Sequence, residues 1–254
     1  MAPGTLLFLM YLSNRTKAWP NKYKNFYEIG SGQGLLSKVF LDKGLKGCGF
    51  DLNKKACLAN RKINSLHIKT RKYSIYRTDF LKKEKLKKVD IIISSMVLEH
   101  LNQKKLSEYF KKCKNLLNKG GLIISVVPAN MRYWGIEDEI AGHVKRYSKQ
   151  CLDQIAATHK LRICKLQGLT WPLSNLLLPL GNWLVAKHEK KLLKNSLQQR
   201  TIESGFRSVG MKTAFPFWWR FFVNEITLFP WYILQLLNQN LGSSTILYCE
   251  MEKK

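Results

Sequence analysis

Three acidic residues stand at the ends of short apolar runs, where a carboxylate can grip a small ligand. Glu28 lies two positions before the first glycine of NFYEIGSGQGLLSKVF, whose glycines fall at 30, 32 and 34. Asp51 closes KGCGFD, and Asp79 stands in YSIYRTDF. A carboxylate at the place of Asp51 can accept from both hydroxyls of a ribose. One at Asp79 can accept from an adenine amino group, with Phe80 beside it to pack on the ring. Each has a plain alternative: a helix cap at Asp51, a surface turn at Asp79, an ordinary glycine turn at 30–34. Their occurrence at successive strand ends favours a ligand. The loop lacks the lysine of a phosphate-binding P-loop, and its GxGxG spacing departs from the dinucleotide GxGxxG. Glu28 is unfavourable beside a pyrophosphate but suits a ligand with a positive amino group and no phosphate. S-adenosylmethionine is such a ligand.

The elements that must position these residues alternate. FYEIG, KGCGFD, YSIYRTDF, VDIIISS and LIISVVP read as strands, VDIIISS as one buried on both faces. GLLSKVFLDKG carries Leu35, Leu36, Val39 and Phe40 at helical spacing. NKKACLANRKIN is a helix capped by Asn53, and KKLSEYFKKCKNLLNKGG is a helix closing on glycine. The predicted class is α/β: a mostly parallel sheet of right-handed βαβ units with helices on both faces, binding ligand at the carboxyl ends of its strands. YSKQCLDQIAATHK then predicts a helix, LRICKLQGL a strand and STILYCEM a closing strand.

YEIGSGQG, GFDLN, YRTDF, VDIIISSMVLEHL and LLNKGGLIISVVP resemble, in order and spacing, the class I S-adenosylmethionine-dependent methyltransferases. The resemblance covers about residues 20–170 and returns at the last strand. It implies a Rossmann-like, seven-stranded sheet with an antiparallel last strand. It also implies that Glu28, Gly30, Ser31, Gly32 and Gly34 surround the methionine part of the cofactor. By the same likeness Asp51 and Leu52 hold the ribose and flank the adenine, Asp79 and Phe80 hold the adenine, and Ser95 and Met96 close the pocket. One domain, 1–254, is expected, with a cofactor-binding core at 20–130, acceptor or lid regions at 131–148 and 171–240, and a closing strand at 243–250.

GIEDEIAGHVKRYS (135–148) is similar to the acidic-then-GHxRRY segment of a bacterial branch of these enzymes, with Lys145 in place of the first arginine and Arg146 retained. RTIESGFRS and NLGSSTILY also resemble that branch. His143 has two readings. It is a general base, since an imidazole can take a proton near neutral pH, with Glu137, Asp138 and Glu139 orienting it or the acceptor. Alternatively the acidic and basic groups lock the helix that starts at Tyr147 and Ser148. His100, in LEHL, reads as a loop-closing residue. No metal is expected, because methyl transfer from a sulfonium needs alignment, dry surroundings and, for a hydroxyl acceptor, a base.

The stretches 169–186 and 215–237 are rich in Trp, Phe, Leu and Pro. Their prolines, asparagines, Arg220 and Glu225 argue against a lipid-exposed span. A lid packed on itself and an amphipathic surface that meets a membrane or a lipid-linked acceptor are the readings left. The formal net charge is +26, from 43 Lys and Arg against 17 Asp and Glu. That balance draws a protein to phosphate on nucleic acid or on an anionic membrane. Dispersed lysines also fit a merely solvated surface. The expected acceptor is a hydrophobic small molecule or lipid-linked saccharide. RNA is the alternative, although SSMV stands where an NPPY-type amino-group motif would be, and a non-catalytic cofactor-binding module is a third. Six cysteines without CxxC spacing predict free thiols and a cytoplasmic location, and a membrane-facing insertion would place the protein at the inner face of the membrane. The apolar N-terminus has no basic residue before it and predicts a packed first helix, not a signal peptide.

Overall fold

VDIIISS lies at the centre of the sheet. In the computed structural model, which describes residues 1–204, 206, 215–238 and 242–253, it forms β4 (Val89–Ser95), with Ile91, Ile92 and Ile93 fully buried. Beside it are β1 (Asn25–Ile29), β2 (Lys46–Asp51), β3 (Tyr73–Arg77), β5 (Leu117–Pro128), β6 (Leu161–Leu169) and β7 (Ile246–Lys253). The strand order is β3-β2-β1-β4-β5-β7-β6. β7 alone runs antiparallel, pairing with β5 on one side and β6 on the other. The order reverses between β1 and β4, so the carboxyl ends of these strands flank a crevice. The glycine loop opens there.

The helices between strands are α2 (Leu35–Asp42), α3 (Lys54–Ile63), α4 (Ser65–Lys69), α5 (Gln103–Leu116), α6 (Ile136–Ala141) and α7 (Lys149–Thr158). α3 is capped as predicted: the Asn53 side chain accepts from Ala56 N–H at 3.0 Å. α5 differs from its prediction. It ends at Leu116, not at the glycine pair, because Leu117 already pairs with Val89; the chain resumes the ladder at Leu122 opposite Ile91. Gly120, at φ +73°, therefore belongs to a bulge.

The predicted first helix is α1 (Pro3–Arg15), which buries Leu7, Phe8, Tyr11 and Leu12. Arg15 donates two hydrogen bonds to the buried Glu250 carboxylate, each 2.7 Å. Between β6 and β7 stand α8 (Leu173–Glu189), α9 (Leu197–Ser204), α10 (Trp219–Phe222) and α11 (Glu225–Leu237). α11 packs on α1 and joins the core on the Phe26–Phe40–Tyr248 side of the sheet. Tyr27, Phe110, Tyr147 and Met251 build the other side. Parts of RTIESGFRS, NLGSSTILY and the 171–240 insertion lie outside the described residues. Among the described residues, no helix is long and apolar enough to cross a membrane, and the six cysteines are free thiols.

Candidate active site

A cavity of about 1470 Å³ opens at the carboxyl ends of β1, β2 and β4. That exceeds the few hundred to a thousand Å³ of most small-molecule sites, so it has room for two ligands side by side. Its donor-side floor carries Gly30, Gly32, Asp51, Leu52, Asp79 and Met96, and Phe80 and Ser95 also reach it. Gly30 holds φ +67°, and a Cβ there would overlap the Val97 side chain. The backbone must therefore stay bare where it turns into the cavity. Met96 is held at φ +54°, a costly conformation without glycine, with its N–H on the Val126 carbonyl at 2.9 Å.

Asp51 is both turn-former and acceptor. Its Oδ1 accepts from Asn53 N–H and its Oδ2 from Gly32 N–H, both at 2.8 Å. Each oxygen keeps a lone pair, as a vicinal diol requires. Burial pushes its carboxyl up, and the amides of Asn53, Gly32 and Leu52 pull it back. Asp79 caps the turn that follows β3, accepting from Leu81 N–H at 2.9 Å, and still borders the cavity. Phe80 is buried edge-on against Phe50 and Tyr109, which makes it as much a core residue as a ring platform.

Three predicted residues stand behind the lining. Ser31 accepts from Asn60 at 3.2 Å, and Gly34, at φ +81°, is backed by Asn60 and Asn64. Glu28 does not reach the cavity. It is 2% exposed and accepts from the Ser37 hydroxyl, which lies 2.8 Å from the Tyr73 hydroxyl. Burial pushes Glu28 up to about 8, against the smaller effect of Ser37. It carries a proton at neutral pH and ties β1 to α2, the helix that follows the loop, through Ser37.

The opposite side of the cavity carries the 135–148 segment. His143 Nδ1 is 2.8 Å from Asp138 Oδ1. Arg146 Nε and Nη2 donate to the same carboxylate at 2.9 and 3.0 Å, and Gly135 N–H at 2.9 Å. Burial alone would raise Asp138; His143 and Arg146 outweigh it and hold the carboxyl below its ordinary range. The ionised Asp138 accepts from Nδ1–H, which selects the tautomer whose Nε2 is the acceptor nitrogen. That nitrogen is 3.7 Å from Glu99 Oε1. Glu99 is fully buried, neither of its side-chain oxygens has a hydrogen-bond partner, and burial pushes it up to about 7. His100 closes the loop as predicted, through Nδ1 and the Gly142 carbonyl at 3.2 Å. Burial, then His143, pushes it down to about 4. The acid–base lock of the structural reading is formed, and Tyr147 also ties the segment down by donating to the Leu98 carbonyl at 2.8 Å. Glu99, His100 and His143 offer ligand-type atoms within 4.8 Å of one another, close enough to gather around a cation as well as to move a proton. Glu99 escaped the sequence reading; an acid beside a histidine just past a buried strand was its signal. The lining contributed by Ala2–Thr5 had none.

α9 bridges the two sides. Asn53 Nδ2 donates to the Ile202 carbonyl at 3.0 Å, and Arg200 donates to the Glu139 carbonyl.

The profile of the methyltransferase-domain family matches residues 2–166, the span that holds both the glycine loop and the 135–148 segment. The chain belongs to the methyltransferase-domain family. Comparison with curated proteins gives no match. Among solved structures, the methyltransferase is similar to StiE O-MT (residues 942–1257), with 15% identity and a TM-score of 0.54 over 94% of this chain and 72% of that one. It is similar to the N-methyltransferase NodS from Bradyrhizobium japonicum, crystallised with S-adenosylhomocysteine, with 17% identity and a TM-score of 0.54 over 66% and 81% of the two chains. It is also similar to magnesium protoporphyrin IX methyltransferase from Synechocystis, likewise with S-adenosylhomocysteine, with 15% identity and a TM-score of 0.53 over 66% and 78%. It spans about half the length of the pyocyanin biosynthetic protein PhzM. The S-adenosylhomocysteine in those two structures corresponds to the S-adenosylmethionine expected from the sequence. The residues present fit that molecule: bare backbone at Gly30, an Asp51 with two spare lone pairs, and no phosphate-binding lysine.

Proposed function

We propose that this methyltransferase acts on a small, largely apolar acceptor, with His143 as the proton acceptor when the reacting atom is a hydroxyl oxygen. The observation that carries the reading is the make-up of the cavity. One side is the strand-end floor; the other is walled by Leu177, Leu178, Leu184, Phe215, Trp219 and Leu228. Such a wall removes water and pays for binding through apolar area, about 25 cal/mol per Å² buried.

Asp51 holds the ribose hydroxyls, Leu52 and Phe80 flank the adenine, and Asp79 accepts from its amino group. Gly30, Gly32, Ser95 and Met96 enclose the methionine part, while Glu28, Ser31 and Gly34 keep the loop in shape. When bound, S-adenosylmethionine supplies an electrophilic methyl carbon on a sulfonium leaving group. The chain's own tasks are alignment, exclusion of water and removal of the acceptor's proton. Asp138 fixes the tautomer that leaves His143 Nε2 free, and the proton from the acceptor hydroxyl passes to that nitrogen. Glu99, once ionised, stabilises the imidazolium that results.

Mass spectrometry of cell extracts incubated with isotope-labelled S-adenosylmethionine tests the reading. The label is expected in an organic-soluble small molecule. Label in RNA alone would overturn it in favour of the basic surface, and an absence of label in any fraction would favour a non-catalytic module.

A further inference from the structure

α11 is apolar on both sides. Leu228, Tyr232 and Gln235 face inward, yet Ile226, Phe229, Ile233, Leu234 and Leu237 form an outward stripe at helical spacing, with Ile226 86% and Leu237 69% exposed. A surface helix of a water-soluble domain carries charge on that side; here the one charged residue is Glu225, in the first turn. α10 and the turn before it continue the pattern, with Phe217 68% and Phe222 67% exposed, beside Trp218 and Phe221. α8 adds Leu176 and Trp183. So many exposed apolar side chains on three helices of one insertion are more than a surface carries by chance, and they mark an interaction face.

The charge beside it selects the partner. The Arg220 guanidinium lies over the Phe217 ring, 3.4 Å from its centroid, and the Lys187 ammonium over the Trp183 ring at 5.2 Å. Lys190, Lys191 and Lys194 follow α8 and are exposed, on a chain with net charge +26. Aromatic side chains with cations at their edge match the boundary between acyl chains and anionic headgroups. A protein partner would have to bury this apolar face against a strongly cationic rim. With no spanning helix among the described residues, the element lies on a bilayer rather than through it.

From this we infer that the outer face of α8, α10 and α11 seats the enzyme on an anionic membrane surface. The inference deepens the proposed function and rests on it in one respect. The inner faces of α8, α10 and α11 supply the cavity wall through Leu177, Leu184, Trp219 and Leu228, so an amphiphilic acceptor can pass from the bilayer into the site without crossing water.

Co-sedimentation with vesicles decides it, using phosphatidylglycerol–phosphatidylcholine against phosphatidylcholine alone. The full chain is expected to bind the anionic vesicles at least tenfold more tightly. Ile226→Glu with Phe229→Glu is expected to weaken that binding at least tenfold and to leave calorimetric binding of S-adenosylmethionine unchanged. Phe222→Ser serves as an independent variant should the double one fail to fold. Three results would overturn the inference: folded, cofactor-binding protein that stays in the supernatant, equal affinity for both vesicle types, or a solution dimer split by the same substitutions, which would assign the face to a second copy. None of these touches the methyl-transfer reading, which stands or falls on cofactor binding and labelled product.

Discussion

Glu28→Gln isolates one buried carboxyl. Glu28 is ordinarily ionised above about 4.5, but burial pushes it up to about 8 in the fold. Between those values the unfolded chain has lost the proton that the folded chain keeps, so stability falls as pH rises. The fall is about 1.4 kcal/mol for each pH unit, or on the order of 4 to 5 kcal/mol across the whole window, and it levels off above pH 8. Glutamine preserves the acceptor for the Ser37 hydroxyl and cannot ionise. Glu99, pushed up to about 7, gives a slope of the same sign, and His100, pushed down to about 4, one of the opposite sign. Both are common to the two proteins and cancel in the difference. Urea unfolding followed by tryptophan fluorescence, from about pH 5 to pH 8, should show Glu28→Gln gaining on wild type by about 3 kcal/mol or more. Parallel curves would mean that Glu28 is ionised in the folded protein, and the account of its protonated tie to Ser37 would fail.

Four other outcomes are expected. In the proposed role Asp51 accepts from two hydroxyls, each hydrogen bond to a charged group contributing about 1.5–3 kcal/mol; for Asp51→Ala, calorimetry should show S-adenosylmethionine binding weakened at least 100-fold. His143→Ala should lower kcat about 10²–10⁴-fold for a hydroxyl acceptor while leaving the KM for S-adenosylmethionine nearly unchanged, and unaltered turnover would remove it as base. Wild-type turnover should rise with pH through about 7 as Glu99 ionises, and Glu99→Gln should flatten that rise in a pH–rate profile; EDTA should leave turnover intact, whereas loss restored by zinc would turn Glu99, His100 and His143 into metal ligands.

The central strands were readable because each is a continuous apolar run bounded by a glycine, aspartate or proline, and β2, β4 and β6 fall where the residue pattern puts them. Asn53 was readable as a cap because a short amide before a helical pattern can accept from its first turn; Ser148, read only as a helix start, also proves to be a cap, accepting from Cys151 N–H at 3.2 Å. The end of α5 was not, since a glycine pair signals a helix stop but cannot report that Leu117 has a partner waiting on Val89. Asp51 and Asp79 could be placed at strand ends by counting. The direction of Glu28 could not, because it depends on Ser37 and Tyr73 meeting it from two other elements. Likewise His143 was visible as a candidate, but the buried Glu99 opposite its Nε2 came from a loop some forty residues upstream. The folds of the insertion helices were hidden by their composition, apolar on both sides, which gives no inner face to detect.

The bridge made by α9 ties two doors to one bolt. Its carbonyl at Ile202 holds the turn beyond the ribose end, and its Arg200 holds the backbone beside the acid–base cluster. A displacement large enough to free one contact strains the other, because both belong to a helix of 8 residues. The turn after β2 and the acid–base segment after β5 are thereby held in one register by a single short helix.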